Sequence, residues 1–291
     1  MVAPAGAVPE GRLERGVQVL ERWGLRVMLG DGIRARHTYL AGEDGVRRSD
    51  LQRMLDDPTV RALFCARGGY GSQRIVPGLD FAPLVRAPKP VVGYSDATAL
   101  IGAVVASGIT AVHGPMVATD LARGLSARSE DHLRRLLSDP GYLWEAEFTD
   151  VIRHGRAVGR LAGGCLSMIA ALLGTPWALD TDGAILFLED IGERPYRLDR
   201  LLTQLRQAGV FERITGLVFG TFMSCPVVDG VAPLDVVRAC CAELPFPVAF
   251  GLPAGHQGEG PGIENLALPF GVSVALDTMR GRLVALEPAV A

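Results

Sequence analysis

Gly93-Tyr94-Ser95-Asp96-Ala97 puts a hydroxyl where a strand reading turns directly into a helix reading. A nucleophilic serine needs such an elbow, because the tight turn lifts its oxygen clear of the sheet and sets it at a helix N-terminus. Strand and helix nearly touch there, so the positions two before and two after must be small, and Gly93 and Ala97 are. The same five residues serve equally well as a plain helix cap made by Ser95 or Asp96. A second stretch, Arg67-Gly68-Gly69-Tyr70-Gly71, also follows a buried strand. Its glycines allow close backbone approach and can aim N–H groups at a ligand. With the Asp96 N–H as a further donor they could form an oxyanion hole, in which one donor contributes about 100- to 1000-fold in rate. The alternatives are a plain turn or a phosphate loop. The latter lacks both G-x-G-x-x-G and a following Gly-Lys-Ser/Thr.

A serine nucleophile requires a base, and the chain has five histidines: His37, His113, His132, His154 and His256. His132 lies among charges on what reads as a surface helix, His37 lies in a polar loop, and His154 is flanked by Arg153 and Arg156, which disfavour a second positive charge. His113 and His256 both follow strand readings, and residue patterns alone leave both open. Glu189 and Asp190 end the run Ala184–Leu188, at the strand edge where open α/β sheets place ligands. Taken alone they read first as a solvated acidic turn, and the charges from Glu193 to Arg200 as pairs along a helix. No H-E-x-x-H or H-x-x-E-H occurs, so no metal site is expected. Lys89 is the only lysine, which leaves lysine-dependent mechanisms one candidate.

The elements that must hold these residues alternate. Glu10–Trp23 reads as a helix with Leu13, Val17 and Leu20 on one face, and Leu25–Leu29 as a strand. Ser49-Asp50-Leu51-Gln52 resembles a capping box opening a helix that turns Leu51, Met54 and Leu55 inward. Ala62–Ala66 and Pro90–Gly93 read as buried parallel strands, the second leading into a helix through Leu100, Ile101, Val104 and Val105. This rhythm predicts an α/β fold with a parallel sheet between helices. Ser126–Arg156 is rich in charge, and a boundary near 150–156 divides the chain into domains 1–150 and 151–291. The second half reads as strands 184–188, 216–221 and 247–252, helices 196–208 and 233–244, and strands from Leu266 to Leu286 with turns at Pro269-Phe270-Gly271 and Arg280-Gly281. Leu161–Leu179 carries no charge, but its Gly163-Gly164 and Gly174-Thr175-Pro176 predict a buried helix rather than a membrane span.

Composition narrows the function classes. Of 291 residues 48% are hydrophobic and 21% charged, enough for a large core, and the net charge of -3 offers no footprint for nucleic acid. Five cysteines, an odd number without C-x-x-C, argue against a disulfide framework and for a reducing, cytoplasmic setting. Cys240 and Cys241 are expected to pack as small apolar groups. The N-terminus shows no basic segment followed by an apolar core, so no signal peptide is expected.

Together these stretches resemble the LD-carboxypeptidase family, which includes murein tetrapeptide carboxypeptidases and microcin-immunity peptidases. The pieces are A-R-G-G-Y-G at 66–71, P-K-x-x-x-G-Y-S-D-x-T-A-L at 88–100, H-G-P-M at 113–116, F-L-E-D-I-G-E-x-P-Y-R-x-D-R at 187–200 and G-x-P-A-G-H at 251–256. The resemblance implies a flavodoxin-like N-terminal domain, a smaller β-rich C-terminal domain and a homodimer. It implies a triad of Ser95, Glu189 and His256, with His113 structural, Glu193 part of the scaffold, and backbone N–H groups of Gly68, Gly69 and Asp96 as oxyanion donors. No cofactor is implied. The substrate would be a small muropeptide-like peptide losing its terminal D-alanine, with Arg67, Tyr70, Cys165 and Arg197 as candidate contacts. Alternatives are an immunity peptidase acting on a peptidyl-nucleotide antibiotic and a non-catalytic two-domain binder. The chain departs from the family at Cys165, where an Asn is usual, in the glycine-rich stretch Gln257–Asn265, and in beginning almost inside its first strand.

Overall fold

Two sheets carry the chain in a computed structural model that describes residues 1–258 and 260–290. The first contains β1 (Leu63–Phe64), β2 (Val91–Gly93) and β3 (Ala111–His113), all parallel, with Val2 bridging Cys65 at the β1 edge. Every side chain of these strands is buried, as parallel strands covered on both faces demand. The helix Arg12–Arg22 buries Leu13, Val19 and Leu20, and Asp44–Asp56 buries Leu51, Met54 and Leu55. The helix Thr98–Ala106 is apolar on nearly all sides and buried along most of its length.

The second sheet is built from β4 (Glu145–Glu147), β5 (Asp150–Arg153), β6 (Arg156–Cys165), β7 (Ile185–Ile191), β8 (Gly216–Met223) and β9 (Val248–Phe250). Between β9 and its last two strands the chain makes β10 (Leu268–Phe270), which crosses to the first sheet and pairs antiparallel with β3. β11 (Ser273–Asp277) and β12 (Arg282–Ala285) then return. The eight-stranded order is β4-β12-β11-β6-β7-β8-β9-β5, with β6 to β9 parallel at the centre and antiparallel strands at both edges.

Several local expectations are corrected. Leu25–Leu29 forms no strand: its neighbour there is Met1, whose amino group donates to the Met28 carbonyl at 2.6 Å and whose carbonyl accepts from Gly30 N–H at 2.9 Å. One residue makes no ladder, and Leu25 and Met28 stay exposed. The helix expected from Ser49 begins at Asp44, and Asp50, already inside it, accepts N–H bonds from Asp31 and Gly32. Leu161–Leu179 is the end of β6 followed by a short helix, Leu166–Leu172. Among the described residues no helix is long and apolar enough to cross a membrane. Pro269 and Phe270 lie within β10, and the chain turns after them at Gly271. His132 is buried, bonded to the Ala267 carbonyl at 2.8 Å and the Tyr142 hydroxyl at 3.0 Å. Lys89 is buried as well, its ammonium donating to the carbonyls of Met54, Leu55 and Asp57 and so closing the helix Asp44–Asp56.

Candidate active site

β2 ends at Gly93, and two residues later Ser95 takes φ 61°, one of four positive-φ positions among the described residues that a residue other than glycine occupies. The left-handed turn strains a side chain bearing a Cβ, and here it projects the hydroxyl at the head of the helical segment 95–106. The demand for small neighbours is visible in the packing. A Cβ on Gly93 would lie 3.0 Å from the Ala97 Cβ and 2.9 Å from Cys65 Sγ. A Cβ on Gly68 would lie 2.9 Å from Ser95 Oγ and 3.5 Å from Asp96 N, so this loop rests directly on the serine. The Asp96 carboxylate holds it there, accepting N–H bonds from Gly71 at 3.1 Å and Ser72 at 2.8 Å.

β7 brings Glu189, fully buried, to the same region. Its Oε2 accepts from His256 Nδ1 at 2.7 Å and from the His256 backbone N–H at 2.9 Å. Burial alone would push the Glu189 carboxyl up, but the bond and charge of His256 outweigh it and hold the group below its ordinary value. For His256 burial opposes protonation, and the bond to Glu189 and its charge prevail, so the imidazole titrates above its ordinary value. The histidine is presented by a turn that only glycine permits. Gly255 has φ 101°, and a Cβ there would lie 2.5 Å from Glu189 Cγ and Oε2. From β8, Thr221 Oγ1 donates to the carbonyls of Ala254 and His256 and fixes the segment from the other side.

Ser95 Oγ and His256 are not hydrogen-bonded to each other. Their link is Tyr94, whose ring meets the His256 ring edge-on at 4.9 Å and which precedes Ser95 in the chain. Tyr94 is buried, its hydroxyl donating to Asp120 Oδ1 at 3.1 Å. Bonds between a nucleophile and its base are often long without substrate and tighten in the complex.

The remaining candidates are placed as follows. Gly69 has φ 113° and follows Gly68, whose carbonyl is occupied by the Gly6 N–H at 3.1 Å. Half-exposed Tyr70 packs against Tyr39, ring centroids 6.0 Å apart. Arg67 Nη1 donates to the Ala7 carbonyl at 2.8 Å. Cys165 pairs in register with Glu189 but is buried, its thiol 3.5 Å from Asp190 Oδ1 and 3.3 Å from Ser167 Oγ. Arg197 is paired with Glu193 on the helix Pro195–Gln207. His37 and His154 are exposed and apart from this set. The stretch after His256 docks on the first half through Ile263, which bridges Leu125, and Glu264, which pairs with Arg128 at 2.8 Å. Glu259 lies outside the described residues. Among those residues no group of three or more His, Cys, Asp or Glu could hold a metal ion.

Sequence reasoning missed Tyr94 and Asp120 as parts of the site, and it placed Asp190 at the strand edge beside Glu189 without giving it a role. Tyr94 carries a signal, its place inside the Gly93–Ala97 elbow. Asp190 supports the Glu189 strand from within, accepting N–H bonds from Ser167 at 2.7 Å and Ile191 at 2.8 Å.

Known proteins share this arrangement of chain. The N-terminal domain of the LD-carboxypeptidases matches residues 1–114 and their C-terminal domain residues 158–276. The murein tetrapeptide carboxypeptidase of Pseudomonas aeruginosa is 35% identical, covering 97% of this chain and 94% of its own. The crystal structure of a muramoyltetrapeptide carboxypeptidase from Oxalobacter formigenes superposes with a TM-score of 0.87 at 33% identity, covering 99% of both chains. The microcin C7 self-immunity protein MccF of Escherichia coli is 24% identical over 94% of this chain and 88% of its own.

Proposed function

The chain belongs to the LD-carboxypeptidase family and is a serine-type hydrolase of peptide bonds; from that premise we propose that it releases the terminal D-alanine of murein tetrapeptides. The observation that carries the mechanism is the Glu189–His256 pair, bonded at 2.7 Å beside an elbow that holds Ser95 at φ 61°. His256 takes the proton of Ser95 as the hydroxyl oxygen attacks the peptide carbonyl between the L-centre of the diamino acid and D-alanine. Glu189 fixes the ring so that Nδ1 carries hydrogen and Nε2 is the base, and stabilises the imidazolium that forms. Backbone N–H groups of Gly68, Gly69 and Asp96 meet the oxyanion. The imidazolium then protonates the departing amine, and water, deprotonated by His256, hydrolyses the acyl-enzyme. Arg67 and Tyr70, on the loop against Ser95, contact the peptide. Buried Cys165 and the paired Arg197 act from further back.

D-alanine release from a disaccharide-free tetrapeptide tests this reading. The native protein should turn over, Ser95→Ala should lose turnover, and an all-L tetrapeptide should be a far poorer substrate. Full activity of Ser95→Ala would remove the nucleophile, and equal turnover of the all-L peptide would remove the stereochemical assignment. We also place the protein in the cytoplasm as a homodimer. The compartment is supported by five free thiols and the dimer by the family resemblance; cell fractionation and sedimentation equilibrium test them.

A further inference from the structure

His113 ends β3 and is 1% exposed, yet neither ring nitrogen has a hydrogen-bond partner among the described residues. Its ring stacks on Phe270 at 5.4 Å and meets Phe187 edge-on at 5.1 Å. If packing were its whole task, phenylalanine would fill the place without two unmet polar atoms. A third unmet atom lies close by. Glu189 Oε1 is buried and without a partner, whereas Oε2 takes both bonds from His256. Phe187 and Glu189 are alternate residues of β7, and alternate residues share a face. The Tyr94 ring, 5.7 Å from His113 and 4.9 Å from His256, joins the two imidazoles. Asn265 Nδ2 is a fourth buried atom lacking a partner among the described residues, on a side chain whose Oδ1 accepts the Gly255 N–H at 3.1 Å, one residue from His256.

We propose that His113 is a positioning residue for Glu189: one imidazole N–H donates to a buried water, which in turn donates to Glu189 Oε1 and fixes the carboxylate that orients His256. The inference rests on the triad reading above. An internal water needs two to four polar partners, and His113, Glu189 and Asn265 supply up to three. The ring that donates is neutral, because burial, with the His256 charge adding to it and the Glu189 charge opposing, lowers the His113 pKa to about 4. The ionisable groups facing His113 are Glu189 from β7, His256 from the turn after β9, and Tyr94 after β2, whose hydroxyl is held by Asp120.

The test compares His113→Phe, His113→Gln and Ser95→Ala in D-alanine release. His113→Phe keeps the ring packing and removes both nitrogens. Its kcat should fall about tenfold or more with KM unchanged, the scale of losing a hydrogen bond to a charged group. Glu189, deprived of a donor, then grips the imidazolium of His256 more strongly, so the acid limb of kcat/KM moves to higher pH. His113→Gln, whose amide can donate, should recover most of the rate. Native kcat and pH profile in His113→Phe, with Ser95→Ala inactive, would overturn this inference alone. An active Ser95→Ala would overturn the triad reading instead. Nitrogen-15 histidine spectra of the intact protein provide a measurement independent of how His113→Phe folds. One His113 N–H should stay protected from about pH 5 to 8, where an ordinary histidine titrates, and shift in Glu189→Gln. An N–H insensitive to Glu189→Gln would sink the relay.

Discussion

Both donors that reach Glu189 from His256, the ring Nδ1–H and the backbone N–H, arrive at one carboxylate oxygen. That geometry fixes the imidazole in two ways, by orienting the ring and by anchoring the turn that carries it. It also sets the pH response. The base must be neutral to work, and Glu189 raises its pKa, so the acid limb of kcat/KM should lie above the ordinary imidazole value. Glu189→Gln keeps the shape and removes the charge. Its acid limb should move to lower pH and kcat should fall roughly a thousandfold or more, because the amide no longer enforces the correct tautomer. A pH–rate series on both proteins checks this, and a limb that does not move would separate Glu189 from the base. The stability signs are opposite for the two partners. The raised His256 stabilises the fold below its unfolded pKa and loses that contribution as pH rises through the folded value. The lowered Glu189 stabilises above its unfolded pKa and loses its contribution as pH falls through the folded value. The pair is therefore strongest at pH values between the two.

Close approaches of backbone decide which elements can serve this site. Gly255 is the sharpest case, since its φ of 101° and the 2.5 Å that would separate an added Cβ from Glu189 both exclude other residues. Gly255→Ala should destabilise the protein by about 2 kcal/mol or more and reduce kcat at least about a hundredfold, by pushing the histidine turn off Glu189. Gly230→Ala is the control: it has φ 80° but open space around it, so it carries the dihedral cost without the clash. Thermal midpoints and kcat of both variants separate the two causes, and equal effects would mean that crowding at Glu189 is irrelevant. The same scale shows what the sequence can reveal. The elbow around Ser95, the Gly68–Gly69 loop and the strands β1 and β2 are legible because each rests on residues a few positions apart. The run Leu161–Leu179 reads as a helix because a strand buried on both faces shows no alternation, and the ladder partner of Leu161–Cys165, β7, is distant in the chain. The supports from Asp96, Asp120 and Asp190 are hidden for a related reason. Each carboxylate accepts N–H or O–H bonds whose donors include residues two dozen positions or so away, and nothing local marks them.

At the scale of the whole molecule, the serine comes from the first sheet and its two partners from the second, so the site is only as rigid as the joint between them. That joint is not a linker. β10, from the last quarter of the chain, is the edge partner of β3, and Phe270 stacks on His113. One continuous core unites Val92, Val104 and Val112 with Leu161, Phe187, Val218, Leu268 and Phe270. Thr98 Oγ1 accepts the Cys165 N–H at 3.1 Å, tying the helix behind Ser95 to the end of β6. A Cβ on Gly164 would lie 2.6 Å from the Thr98 side chain, so the contact is as close as side chains permit. Separate lobes joined by a polar interface would melt independently, whereas a shared core makes them one cooperative unit. Scanning calorimetry of the full chain should therefore give a single transition whose calorimetric and van't Hoff enthalpies agree. A fragment of residues 1–150 should lack native near-ultraviolet dichroism and aggregate, because removing β10 bares the edge of β3 and strips His113 of Phe187 and Phe270. Two resolved transitions, or a fragment that unfolds cooperatively by itself, would mean that Ser95 and its partners ride on independent bodies, and their alignment would then have to come from the substrate.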